Sequence, residues 1–148
     1  MDVALRIEGA AILADLEHRT VGDVFARAGV LYQLVDDLVD LYGSKGRNQR
    51  GSDIAEGKVS ALVVHHLALQ PSHRGWLRHV LATPRDRTTG RDIARCAHAF
   101  EASGAVDAVR ASIDSELEAL FSSPLPEPLR PVAAALADRC TQDLETLS

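Results

Sequence analysis

The stretch YQLVDDLVDL, Tyr32 to Leu41, decides the fold. It sets three aspartates, Asp36, Asp37 and Asp40, within five residues of one of the most apolar segments of the chain. On a helical wheel of about 100° per residue with Asp36 at zero, Asp40 falls near about 40°, Gln33 near about 60° and Asp37 near about 100°. Leu31, Leu34, Val35, Leu38, Val39, Leu41 and Tyr42 occupy the rest of the circumference. A surface helix carries a narrower apolar stripe, so the pattern predicts a central helix from about Val21 to Tyr42 with one polar stripe. That stripe holds no Lys or Arg, and Asp36 and Asp40, four apart, repel by roughly 0.2–0.5 kcal/mol. Something cationic is expected opposite them.

Outward from this helix, periodicity is helical almost everywhere, and no run alternates polar with apolar residues. The expectation is an all-α fold of about seven helices, and 148 residues at 46% hydrophobic and 25% charged form a single domain, residues 1–148. ALRIEGAAILADLE reads as a first helix ending near Arg19, and Thr20 as the cap of the second. GSKGRNQRGS is a loop, and Asp53 followed by Glu56 has the spacing of a capping box that opens a helix continuing to Pro71. A short helix then holds Trp76, another runs from about Thr89 to Ser103, Gly104 breaks it, and SSPLPEPLRP separates the last two helices.

Sixteen Lys plus Arg against twenty-one Asp plus Glu give a net charge of −5, which disfavours nucleic acid and anionic membranes as partners. No apolar run approaches the ~20 residues that span a bilayer, so no membrane span is expected. Cys96 and Cys140 lie far apart in helical patterns, which reads as free thiols in a reducing compartment and points to the cytoplasm. His65 and His66 diverge by about 100° on a helix and do not converge on one metal, so both read as surface or partly buried residues. His73, His79 and His98 show no ligand spacing, and Trp76 reads as packing.

A solvated face or a structural Asp–Arg network is the plain account of the aspartates. Against it, a solvent face mixes signs and favours Glu and Lys, because Asp is a poor residue in mid-helix. Carboxylates at i, i+1 and i+4 on one arc suit Mg²⁺, which takes few protein oxygens and fills its remaining positions with water or phosphate oxygens. RGSDIAEGK, about ten residues beyond the helix, brings Arg50 and Lys58 into its neighbourhood. The only two lysines, Lys45 and Lys58, flank this loop in a chain whose other cations are arginines, and lysine is the compact point charge of the two.

GVLYQLVDDLVDLYG followed by RGSDIAEGKVS resembles the second aspartate-rich region of the trans-isoprenyl diphosphate synthases, or polyprenyl synthetases. Gln33, Asp36, Asp37, Asp40, Gly51, Ser52, Asp53, Glu56, Gly57 and Lys58 fill the places of that family's Gln, DDxxD, Gly-Ser-Asp and Glu-Gly-Lys. GAVDAVRASIDSELEAL and the Pro-bounded final helix with Arg139 follow in the order expected of its C-terminal part. Residues before about Val21 match only as generic helix. The resemblance implies a helical bundle that is half of a class I isoprenoid synthase fold. The implied activity is Mg²⁺-dependent prenyl transfer, in which an allylic diphosphate ionises and the alkene of isopentenyl diphosphate attacks the cation. Asp36, Asp37 and Asp40 would hold the metal. Asp36, Asp37 and Lys58 would be catalytic, and Gln33, Arg50 and Lys58 would bind substrate.

Members of the family carry two facing aspartate-rich motifs and are roughly twice this length, whereas this chain has one Asp-Asp pair and lacks the first motif. The implied protein is therefore a prenyltransferase fragment or subunit, working as a homo-oligomer or in a complex with a chain that supplies the first half. Two alternatives stand beside it: a non-catalytic partner that modulates a full-length synthase, and a class I terpene cyclase fragment.

Overall fold

A computed structural model describes residues 18–43, 50–122 and 124–147. The first predicted helix, Lys45 and Arg47 lie outside the described residues. Seven α-helices occupy the described part: α1 (His18–Tyr42), α2 (Ser52–Ala55), α3 (Ala61–Leu69), α4 (Arg74–Leu81), α5 (Gly90–Ser103), α6 (Ala105–Ser122) and α7 (Arg130–Glu145). Short 3₁₀ turns at Pro71–His73 and Glu127–Leu129 lead into α4 and α7. Among the described residues there is no strand.

The central position of α1 follows from its sequence. Val21, Val24, Ala28, Leu31, Val35 and Leu38 recur at alternating steps of three and four, and all are buried. This stripe packs chiefly against α6 and α7. From those helices Val109, Ile113 and Leu120, and Ala133, Ala137 and Cys140, close on it. Small residues on α7 let its backbone approach closely. On the other side of α6 lie α3 and α5, which contribute Leu62, Val63, Cys96 and the fully buried Phe100.

Helix boundaries follow local chemistry. Thr89 and Asp92 form a reciprocal capping box at the start of α5, and Gly104, with φ 81°, takes the left-handed position that ends it. Two expectations fail between α2 and α3. The helix expected to run from Asp53 to Pro71 is broken, because Gly57 adopts φ 70° and residues 58–60 leave the helix before Ser60 caps α3 by accepting from the Val63 N–H. The Asp53–Glu56 capping box is absent as well: Gly51 occupies the cap position of α2, with no side-chain cap. Asp53 and Glu56 turn instead to Lys58.

Gly57 also fixes this break sterically, since a Cβ there would lie 2.4 Å from the Leu81 carbonyl oxygen. Gly57→Ala is therefore expected to destabilise the fold by at least about 2 kcal/mol, combining left-handed strain with a backbone clash. Urea denaturation checks it. Gly75, where an added Cβ meets nothing within 4 Å, is the control position.

Candidate functional site

The aspartates of α1 work in different directions. Asp40 is fully buried; its Oδ1 accepts from the Ser52 hydroxyl and its Oδ2 from the Asp53 N–H at 3.1 Å. Asp37, also buried, accepts from Gln33 Nε2 at 2.8 Å through Oδ1 and from the Ala61 N–H at 2.6 Å through Oδ2. Residues 51–61 thus form a strap pinned to α1 at both ends, by Asp40 where α2 begins and by Asp37 where α3 begins.

Lys58 lies between the two pins, and its Nζ is 2.6 Å from Asp53 Oδ1 and 3.0 Å from Glu56 Oε2. Glu56 bridges onward to Arg85. Hydrogen bonding to Asp53, then to Glu56, holds the Lys58 ammonium well above the usual lysine range. The same contact with Lys58, then with Arg85, holds the Glu56 carboxyl low. Burial pushes the Asp37 carboxyl up, against the lowering effect of the Ala61 N–H and Gln33, and the neighbouring charges of Asp53 and Asp36 push the same way as burial.

Asp37, Gln33, Asp53 and Lys58 line one cavity of about 450 Å³. Its other wall is apolar, formed by Val30, Leu34, Val59 and Ala61. Val30 and Val59 are 50% and 70% exposed, so this wall stands open rather than closed by the chain's own core. The arrangement offers a carboxylate pair and an ammonium at one edge and hydrocarbon contact at the other.

The three aspartates, read above as one metal-holding set, do not line one cavity. Asp36, half-buried, lines a separate groove of about 250 Å³ between α1 and α7, together with Tyr32, Arg139 and Asp143. Both Asp40 carboxylate oxygens accept from the strap. Arg50 is exposed and lines a third cavity of about 580 Å³ with Tyr42, Ile93 and Glu101, away from Lys58. The wheel gives each side chain its direction but not what stands there: α7 faces one flank of the stripe and the strap the other. Among the described residues, no three His, Cys, Asp or Glu side chains converge as a metal site.

Asp53 was missed as a site residue because it reads as a helix cap. Its place in GSDIAEGK, five before the lysine it binds, was the available signal. His66 was also misjudged; it is fully buried, with hydrogen bonds to Ser103 and His73.

The polyprenyl synthetase family model matches residues 2–100, which reaches further toward the start of the chain than the motifs alone. A crystal structure of geranylgeranyl pyrophosphate synthase superimposes with a TM-score of 0.70 at 21% identity. The match covers 99% of this chain and 47% of that one, so the chain spans about half the length of the synthase it matches. No curated protein matches the chain. No helix among the described residues is long and apolar enough to cross a membrane.

Proposed function

The chain belongs to the polyprenyl synthetase family, and we propose that it carries the C-terminal half of that fold, with the second aspartate-rich motif, and supplies the diphosphate-binding wall of a prenyltransferase. The substrates in this reading are an allylic diphosphate and isopentenyl diphosphate. The observation that carries it is the cavity in which Asp37, Gln33 and Lys58 meet an open apolar wall.

Each residue then has a task set by its surroundings. Lys58 exchanges its contacts with Asp53 and Glu56 for diphosphate oxygens and stabilises the charge that develops as the diphosphate departs. Gln33 orients Asp37 through the 2.8 Å hydrogen bond. Asp40 keeps the strap, and with it Lys58, in register. Val30, Leu34 and Val59 receive the hydrocarbon. Asp37, a hard oxygen donor beside Asp53 on the cavity wall, is the carboxylate assigned to Mg²⁺ there, and Asp36, which opens on the neighbouring groove, is assigned to it on the family resemblance. When bound, the metal neutralises the diphosphate and eases its departure. Asp40, fully buried and outside the cavity that Asp37 lines, is assigned a positioning role in place of ligation.

The exposed Val30 and Val59 of this wall support a partner surface there, filled by a chain that brings the facing motif or by a second copy. Buried free thiols at Cys96 and Cys140 support a reducing compartment, the cytoplasm. A non-catalytic partner of a full-length synthase is the second reading, favoured by the pairing of Lys58 with two carboxylates of its own chain.

Calorimetry of pyrophosphate tests the first reading. Pyrophosphate is expected to bind more tightly with Mg²⁺ than without it, by about tenfold or more. Asp36→Asn and Asp37→Asn remove that difference, and Glu118→Ala on the solvated face of α6 does not. Binding that ignores Mg²⁺, or a coupling that survives both substitutions, contradicts the assignment.

A further inference from the structure

A second cavity, of about 450 Å³, lies where the 3₁₀ turn before α4 meets α5, and Gln70, His73, Arg95 and His98 line it with Trp76, Ser103 and two alanines. In a chain of net charge −5, no carboxylate lines this cavity. The Arg95 guanidinium sits 4.6 Å from the centre of the Trp76 ring, and the His73 ring centre is 5.7 Å from the same ring. Arg95 is held by stacking and has no ion-pair partner among the described salt bridges, so its donors remain available to a ligand.

Behind His73 runs a chain of hydrogen bonds, and a Ser103 hydroxyl that donates to Phe100 gives it one direction. The Ser103 hydroxyl donates to the Phe100 carbonyl at 3.1 Å. Its single proton being used there, Ser103 Oγ accepts from His66 Nδ1 at 2.8 Å. His66 Nε2 then carries the lone pair and accepts from His73 Nδ1 at 3.0 Å. Thus His73 keeps its proton on Nδ1, and Nε2 is its basic nitrogen. A further proton belongs on that Nε2, because placing it on His66 would set two N–H groups head to head. Burial, then the neighbouring His73, pulls the His66 imidazole below its usual range, in keeping with a neutral ring. The charged and titratable groups around His73 are His66 from α3 and Arg95 and His98 from α5, with Arg74 next in the chain. Asp92, one turn before Arg95, is occupied in the Thr89 capping box.

The geometry points to an anion site in this cavity, distinct from the Asp37–Lys58 cavity, that takes a tetrahedral dianion of the phosphate class between Arg95 and His73 Nε2 and binds it together with a proton on His73. Two cationic groups match a dianion, and the relay gives the proton one place to go. Proton and anion then strengthen each other by linkage.

Inorganic sulfate is the probe, because it remains a dianion throughout the pH range in which histidine titrates. By calorimetry on the whole chain, sulfate affinity is expected to be about tenfold higher near about pH 5.5 than near about pH 8. Imidazole NMR signals of His73 should shift on binding. Arg95→Gln, at an exposed position that leaves the core intact, removes the binding; His73→Gln leaves weak binding without pH dependence; Lys58→Gln leaves both unchanged. Affinity independent of pH, unmoved His73 signals, or loss of binding in Lys58→Gln rather than Arg95→Gln overturns the proposal. Since Lys58→Gln separates the two cavities, failure here leaves the prenyltransferase reading untouched.

Discussion

Supplied with Mg²⁺, an allylic diphosphate and isopentenyl diphosphate, the 148-residue chain alone is expected to elongate prenyl chains at less than about 10⁻³ of the rate it reaches with a chain bearing the facing aspartate-rich motif. Charge sets the deficit. Diphosphate departs as an anion while a carbocation forms, and the cavity at Lys58 provides one ammonium, already shared between Asp53 and Glu56. Removal of a single preorganised contact to a developing anion typically costs about 10²–10³ in rate, and here an entire facing set is missing. The open apolar wall of Val30 and Val59 adds to the deficit, because water reaching the cation would quench it. Product chromatography with labelled isopentenyl diphosphate decides the matter: fast elongation by the chain alone would contradict it.

Phe100→Ala carries the largest expected loss of stability, about 3–5 kcal/mol. The ring is fully buried where α5 meets α3 and α6, and lies 5.2 Å from the His66 ring, centre to centre. Truncation leaves a cavity bounded by rigid helices and loosens the imidazole whose hydrogen bonds to Ser103 and His73 need a fixed ring. Since a domain of this size is stable by only about 5–15 kcal/mol, the urea midpoint should fall by a large fraction of its value. Phe121, 64% exposed on α6, is the matched control, and Phe121→Ala should change stability by less than about 0.5 kcal/mol. Equal losses at the two positions would mean that the core is not centred where α3, α5 and α6 meet.

The sequence made the fold legible wherever one helix face meets one core. The nearly all-round apolar wheel of Leu31 to Tyr42 announced a central helix, and Thr89 and Gly104 bounded α5 by chemistry that acts within a single turn. Legibility ended where long-range partners compete with local ones. Asp53 and Glu56 have capping-box spacing, yet the lysine two residues beyond Glu56 takes both carboxylates, and the tight approach to Leu81 requires a glycine that breaks the helix. The aspartates were correctly placed on one arc. Their division between strap, cavity and α7 groove depends on neighbours far away in the chain, which a wheel does not contain. His66 was misread for a related reason: beside His65 it read as surface or partly buried, but it is fully buried and faces Phe100 in the core.

The packing of α1 against α6 and α7 orders events during synthesis. Val21 to Leu38 leave the ribosome about a hundred residues before Ala133, Ala137 and Cys140, which cover part of the same stripe. Contacts of such sequence separation close slowly, and until they form the stripe is bare hydrocarbon in the nascent chain. Translation past α7 therefore sets when this unit becomes safe from aggregation. A stalled chain ending before Arg130 should cling to chaperones, and one extended beyond Glu145 should let go.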